Sequence, residues 1–165
     1  MARTVGIGNQ SFEVIRREDY FYIDKTPFIK EWWESGDNVT LIARPRRFGK
    51  TLTMDMIESF FSIKYAGRDD LFRGLRIWDN EKFRKLQGTY PVINLTFANI
   101  KESNYDSARE KICHMLSNLY SEYEFLLDSD VLGNRGKRFF ESVSEDMNDT
   151  AATMAIHQLS IYLSR

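Results

Sequence analysis

Between residues 44 and 51 the chain reads Arg-Pro-Arg-Arg-Phe-Gly-Lys-Thr, residue types and spacing suited to holding the phosphates of a nucleotide. A phosphate loop needs backbone N–H groups turned around an anion, a glycine where a side chain would collide, and a helix whose positive end faces the charge. Gly49 supplies the clearance, Lys50 can reach the β and γ phosphates, and the Thr51 hydroxyl can join the coordination of Mg²⁺, which takes few protein ligands and keeps several waters. Arg44, Arg46, Arg47 and Lys50 put four cations into seven residues. The usual pattern is Gly-x-x-x-x-Gly-Lys-Ser/Thr, and Arg44 stands here at its first glycine position. Pro45 fixes its own φ and biases Arg44 toward extended backbone, so the loop starts more rigidly than a glycine-rich one. The expected binding set is Arg44, Pro45, Arg46, Arg47, Phe48, Gly49, Lys50 and Thr51, with ATP and Mg²⁺ as cofactors and Thr51 as the metal ligand. The competing reading is a Gly-Lys-Thr triplet that merely opens a helix on a basic surface.

The flanking patterns supply the context such a loop requires. Asn38 to Ala43 carries Val39, Thr40, Leu41 and Ile42, a β-branched apolar run that predicts a short buried strand after the Ser35-Gly36-Asp37 turn. From Lys50 onward the apolar positions switch to helical spacing through Leu52, Met54, Met56, Ile57, Phe60, Phe61 and Ile63, on more than one side, which predicts a mostly buried helix. Thr26 to Ser35 reads as a helix with Thr26 as its cap, Pro27 in its first turn and Gly36 at its end. Asn80 to Gln87 reads as another, stopped by Gly88, and Pro91 to Phe97 as a second buried strand. Asn104 to about Leu127 and about Thr150 to Ser164 complete the helices. Strand, loop, helix, strand, helices is the order expected of an α/β fold: the first half of a doubly wound parallel sheet flanked by helices, a partial P-loop NTPase. No linker, repeat or low-complexity block divides the chain, so residues 1–165 are expected to be one domain.

The run Tyr22-Ile23-Asp24-Lys25-Thr26, the Leu41 to Leu52 segment around the loop, Leu71-Phe72-Arg73-Gly74-Leu75-Arg76-Ile77 and Tyr90 to Phe97 follow one another in an order that resembles the predicted AAA-ATPase-like proteins of bacteria and archaea. The resemblance spans nearly the whole chain, and it makes the Arg44 departure a shared trait. It implies ATP binding. It also implies that an acidic Leu-Ile-Asp-Glu-Tyr-like segment, needed to hold Mg²⁺ and orient the attacking water, would follow the helix ending near Ser164, with a PD-(D/E)XK-type nuclease region beyond. Because the chain stops at Arg165, the expectation is an N-terminal portion truncated before the Walker B strand, with ATP binding but little turnover by this chain alone and no assigned catalytic residue.

Other acidic segments are poorer candidates. Leu75 to Glu81 is interrupted by Arg76, and Asn80 reads as a helix cap. Asp24 follows the strand-like Tyr20 to Ile23, but precedes Lys25-Thr26-Pro27 and reads as a turn residue pairing with Lys25 or a loop arginine. Tyr20, Phe21 and Tyr22 could border an adenine or belong to an ordinary half-buried strand. His114 and His157 are far apart, and Cys113 and His114 are adjacent on a helix, so zinc is disfavoured. The single cysteine, Cys113, reads as a core residue. A formal net charge of −1 argues against general polyanion binding, so the basic cluster is a local feature aimed at a local anion. With no apolar leader and no run long enough to span a bilayer, the expected compartment is the cytoplasm. The expected partners are the nucleotide, a second copy or a missing C-terminal region, with no membrane, and nucleic acid only through the full-length protein. The alternative function is a noncatalytic interaction module whose basic loop meets nucleic acid or another acidic surface.

Overall fold

The computed structural model describes residues 4–45 and 47–165. They group into two compact units that divide between Val92 and Ile93.

In the first unit helices pack around an aromatic core. Helix α1 (Phe12–Arg17) is started by Ser11, whose Oγ accepts from Val14 N at 3.4 Å, and by Asp55, whose Oδ2 accepts from Phe12 N at 2.5 Å. Helix α2 (Pro27–Ser35) begins with proline at its first position and ends on Gly36 at φ 68°, the left-handed cap its sequence predicted. Helix α3 (Lys50–Phe61) buries Thr53, Met56, Phe60 and Phe61, and these fall at helical spacing on one flank. Its opposite flank is wetter than expected: Met54 is half exposed. Phe60 packs edge-on against Phe61 and Phe72, with ring centroids 5.0 and 5.1 Å away, while Trp33 of α2 stacks on Phe61 at 5.4 Å. Asn80 caps the short helix α4 (Glu81–Arg84) as expected, accepting from Lys82 N at 3.0 Å.

The second unit is a helical cluster with its own core. Helix α5 (Tyr105–Ser121) starts at Asn104, whose side chain accepts from Ser107 N at 2.8 Å, and α7 (Asp149–Leu163) starts at Asn148, which accepts from Ala151 N at 2.9 Å. Between them a 3₁₀ segment, Glu124–Asp128, and helix α6 (Asn134–Ser142) bring Leu126 and Phe140 inward. The Tyr120 hydroxyl donates to the carbonyl of Ala155 at 2.8 Å, and burial raises the phenol above its ordinary range. Cys113 is buried there as a core residue.

The α/β expectation, half of a doubly wound parallel sheet, is overturned. Among the described residues there is no strand, only an isolated parallel bridge between Ser62 and Tyr90, with Ile63 N donating to Tyr90 O at 2.8 Å and Tyr90 N to Phe61 O at 2.9 Å. The two segments expected as buried strands have no ladder. Val39 and Leu41 are 89% and 87% exposed, and Phe97 is 56% exposed. A β-branched apolar run raises the propensity for a strand, but a strand exists only where a second backbone meets its N–H and C=O groups. Within the described residues neither Asn38 to Ala43 nor Pro91 to Phe97 forms a strand ladder.

Gly88 shows how tight the first unit is beside that bridge. Its N–H donates to Phe60 O at 2.8 Å, its φ is +67°, and a Cβ there would lie 2.5 Å from Ala66 Cα. Gly88→Ala therefore combines a left-handed non-glycine residue, costing ~1–2 kcal/mol, with a backbone collision. At ~2–4 °C per kcal/mol for a chain of this size, we expect thermal unfolding at least about 5 °C lower than wild type. An unchanged melting temperature would overturn this backbone approach.

Candidate functional site

The chain leaves Ile42, turns through the arginine-rich loop and enters α3 at Gly49. That entry point is glycine for a local reason. Gly49 sits at φ 72°, ψ 29°, a conformation costly for a residue with a Cβ, and its carbonyl accepts from both Thr53 N and Thr53 Oγ1 at 2.9 Å. Arg47 is also left-handed, at φ 68°, which for a bulky residue is an outlier. Arg46 belongs to the expected binding set but lies outside the described residues.

Lys50 closes the loop on itself. Its Nζ donates to the carbonyl of Arg44 at 2.6 Å, and Phe48 N donates to Pro45 O at 3.4 Å. Arg44, Pro45, Arg47, Phe48, Lys50 and Thr51 are all exposed, while Gly49 is half-buried. No side chain caps α3. The first N–H groups of any α-helix lack an intrahelical acceptor, so the start of α3 presents open donors and the positive end of the helix dipole beside Lys50. This arrangement can receive an anion.

A second lysine reaches the same place from 24 residues upstream in the sequence. Lys25 Nζ donates to Phe48 O at 3.3 Å, and it would lie 2.6 Å from a Cβ on Gly49. Asp24 and Thr26 hold it there. Asp24 Oδ1 accepts from Thr26 N at 2.9 Å and from Thr26 Oγ1 at 2.6 Å, and its Oδ2 accepts from Arg76 N at 2.9 Å. Thr26, fully buried, uses its Oγ1 again to accept from Ile77 N at 3.2 Å. Thr26 thus serves the 24–26 turn and the 76–79 segment; it is not the side-chain cap of α2 that its position suggested. Asp24 is a turn residue, as expected, with its oxygens given to backbone and Thr26 donors. Lys25 went unnoticed in the sequence because nothing in local spacing links it to Gly49.

Tyr22 backs this turn. Its hydroxyl accepts from Lys25 N at 3.3 Å and donates to Met56 Sδ at 3.1 Å, and burial pushes its pKa up to about 12. Its ring meets Phe12 edge-on at 5.4 Å, so Tyr22 belongs to the core. Phe21 is half exposed.

The donor set suits an anion better than a bare cation. Among the described residues no group of three or more His, Cys, Asp or Glu could hold a metal, and of the expected set only the exposed Thr51 hydroxyl is a metal ligand by type. A Mg²⁺ ion brought in with phosphates needs little more from the protein, so the residues fit Mg-nucleotide. Gly49→Ala is expected to cost ~1–2 kcal/mol of stability through its positive φ and to force Lys25 Nζ from its seat. Thermal unfolding together with nucleotide titration checks both effects.

The family model described as "Predicted AAA-ATPase" matches residues 6–158. The chain belongs to this family. Over 112 residues this AAA-ATPase-like chain is 36% identical to a protein of Azotobacter chroococcum mcd 1 described as "Uncharacterized protein in vnfD 5'region". The aligned part covers 67% of the chain and 20% of that relative, so the chain spans about a fifth of its length. No solved structure matches. Among the described residues no helix is long and apolar enough to cross a membrane.

Proposed function

We propose that this AAA-ATPase-like chain binds ATP with Mg²⁺ at the 44–51 loop, as the N-terminal part of a single nucleotide-binding domain of a larger ATPase. The observation that carries the reading is the uncapped start of α3, where Gly49 in the left-handed conformation, Lys50 and exposed Thr51 meet at one helix terminus. The N–H groups of the first turn donate to phosphate oxygens, and Lys50 exchanges its bond to Arg44 O for the phosphate chain. Arg44, Arg46 and Arg47 supply positive potential, Pro45 and Phe48 shape the loop, and Thr51 offers its hydroxyl to the metal. Mg²⁺, when bound, neutralises phosphate charge. The acid that would orient an attacking water is not assigned, and efficient hydrolysis is not expected of the isolated chain. A cytoplasmic setting and completion by a second copy or by the rest of a longer chain belong to the same proposal.

The second reading, a basic module for nucleic acid or an acidic partner, draws on the four cations between Arg44 and Lys50. Calorimetric titration at two salt concentrations separates the two. Polyanion contacts weaken steeply as salt rises, whereas a phosphate loop requires the nucleotide's phosphate chain and saturates at one site. Saturable Mg-ATP binding supports the proposal. Its absence in a folded chain, with oligonucleotide binding that falls with salt, would move the second reading ahead.

A further inference from the structure

We infer that Lys25 is a second phosphate-binding lysine of the nucleotide site, an inference that rests on the phosphate-loop reading proposed above. Its ammonium lies against Gly49, at the junction where the loop becomes α3. Phe48 O takes one of its three N–H groups at 3.3 Å. No carboxylate pairs with it among the described residues, and the neighbouring Asp24 has both oxygens engaged elsewhere.

Electrostatics makes that position informative. A cation at the N-terminus of a helix is unfavourable, by ~0.3–1 kcal/mol, because the dipole already presents positive charge there. Lys25 is nonetheless fixed at that terminus by the Asp24–Thr26 turn and by Tyr22, and Lys50 sits one residue beyond Gly49. Both ammonium groups hydrogen-bond to carbonyls of this one loop, Lys50 to Arg44 O and Lys25 to Phe48 O, and among the described residues no carboxylate pairs with either. Such a convergence is relieved by an anion of several charges, the chemistry of a di- or triphosphate. The glycine at 49 then has two reasons: its left-handed backbone, and the space Lys25 Nζ needs above it.

The test uses the full chain in four forms: wild type, Lys25→Gln, Lys25→Arg and Lys50→Ala. Each is titrated with Mg-ATP and with inorganic tripolyphosphate, and each is melted without ligand. We expect Lys25→Gln to weaken both ligands about 10- to 100-fold, the range of one charge-assisted hydrogen bond, with an unchanged ligand-free melting temperature. Lys25→Arg, which keeps charge and donors, should stay within about fivefold of wild type. Lys25→Gln binding within twofold of wild type, while Lys50→Ala binds far more weakly, would overturn the role of Lys25 and leave the loop reading standing. Equal losses in Lys25→Gln and Lys25→Arg with a lowered melting temperature would show a structural prop and overturn it too. A folded wild type that binds neither ligand would overturn the phosphate-loop reading, and this inference with it.

Discussion

Lys50→Ala weakens Mg-ATP binding about 100-fold and leaves the ligand-free chain folded: this is the expected result with the largest functional effect. Lys50 is exposed, and its side chain donates from Nζ to Arg44 O at 2.6 Å. Truncation removes that bond at the surface, worth ~0.5–1.5 kcal/mol at most, so the melting temperature without ligand should move by only a few degrees. The loss on the ligand side is larger. A lysine donating to phosphate contributes ~1.5–3 kcal/mol through charge-assisted hydrogen bonds, and the multiple charges of a triphosphate put the deficit at the upper end, about 100-fold in affinity. The same difference reads out as ligand stabilisation. At a hundredfold excess over its dissociation constant, Mg-ATP should stabilise the wild type by ~2.7 kcal/mol, or roughly 5–10 °C, and the variant by almost nothing at that concentration. Equal ligand-induced shifts in both proteins would place the binding elsewhere and end the phosphate-loop reading.

The largest effect on stability is expected from Phe60→Ala. Phe60 is fully buried and meets two aromatic rings edge-on, Phe61 at 5.0 Å and Phe72 at 5.1 Å. Deleting it removes buried apolar surface and two ring contacts and leaves a cavity among side chains that can collapse only partly. Such truncations cost ~3–5 kcal/mol. Against a total of ~5–15 kcal/mol this is a large fraction, and at ~1–3 kcal/mol per molar urea it lowers the denaturation midpoint by about 2 M. Phe60→Leu, which keeps most of the volume, should cost markedly less. A midpoint within a few tenths of a molar of wild type would show that Phe60 does not anchor the first core. The buried flank of α3 also anchors the helix whose Gly49 end forms the proposed site.

How much of this could be read from the chain depends on how far apart in sequence the interacting groups lie. Helix starts were legible. Asn80 and Asn104 each accept from a backbone N–H two or three residues ahead, and proline and glycine bound α2, while the last helix starts at Asn148, slightly before the expected Thr150. The second strongly periodic helix, expected to run on to about Leu127, instead ends at Ser121 and gives way to the 3₁₀ segment Glu124–Asp128. Periodicity continues through such a change because a tighter turn still brings Leu126 to the core. Thr26 looked like a cap, yet its hydroxyl is taken by Asp24 and Ile77, a partner 51 residues away. The strand-like runs misled for the same reason, since pairing is a property of two segments and not of one.

By itself, the sequence determined the local chemistry of this protein: the Gly-Lys-Thr triplet at a helix start, the Gly36 stop of α2, the Asn80 cap, the buried cysteine and the AAA-ATPase-like family. These rest on interactions between near neighbours, whose geometry covalent structure already restricts. Only the tertiary structure decided that Val39 and Leu41 face solvent without a ladder, that Asp24 gives its carboxylate to Arg76 N, and that Lys25 comes to rest over Gly49. Those outcomes depend on which distant segments the chain brings together, a choice made by packing the aromatic core, and no local spacing encodes it.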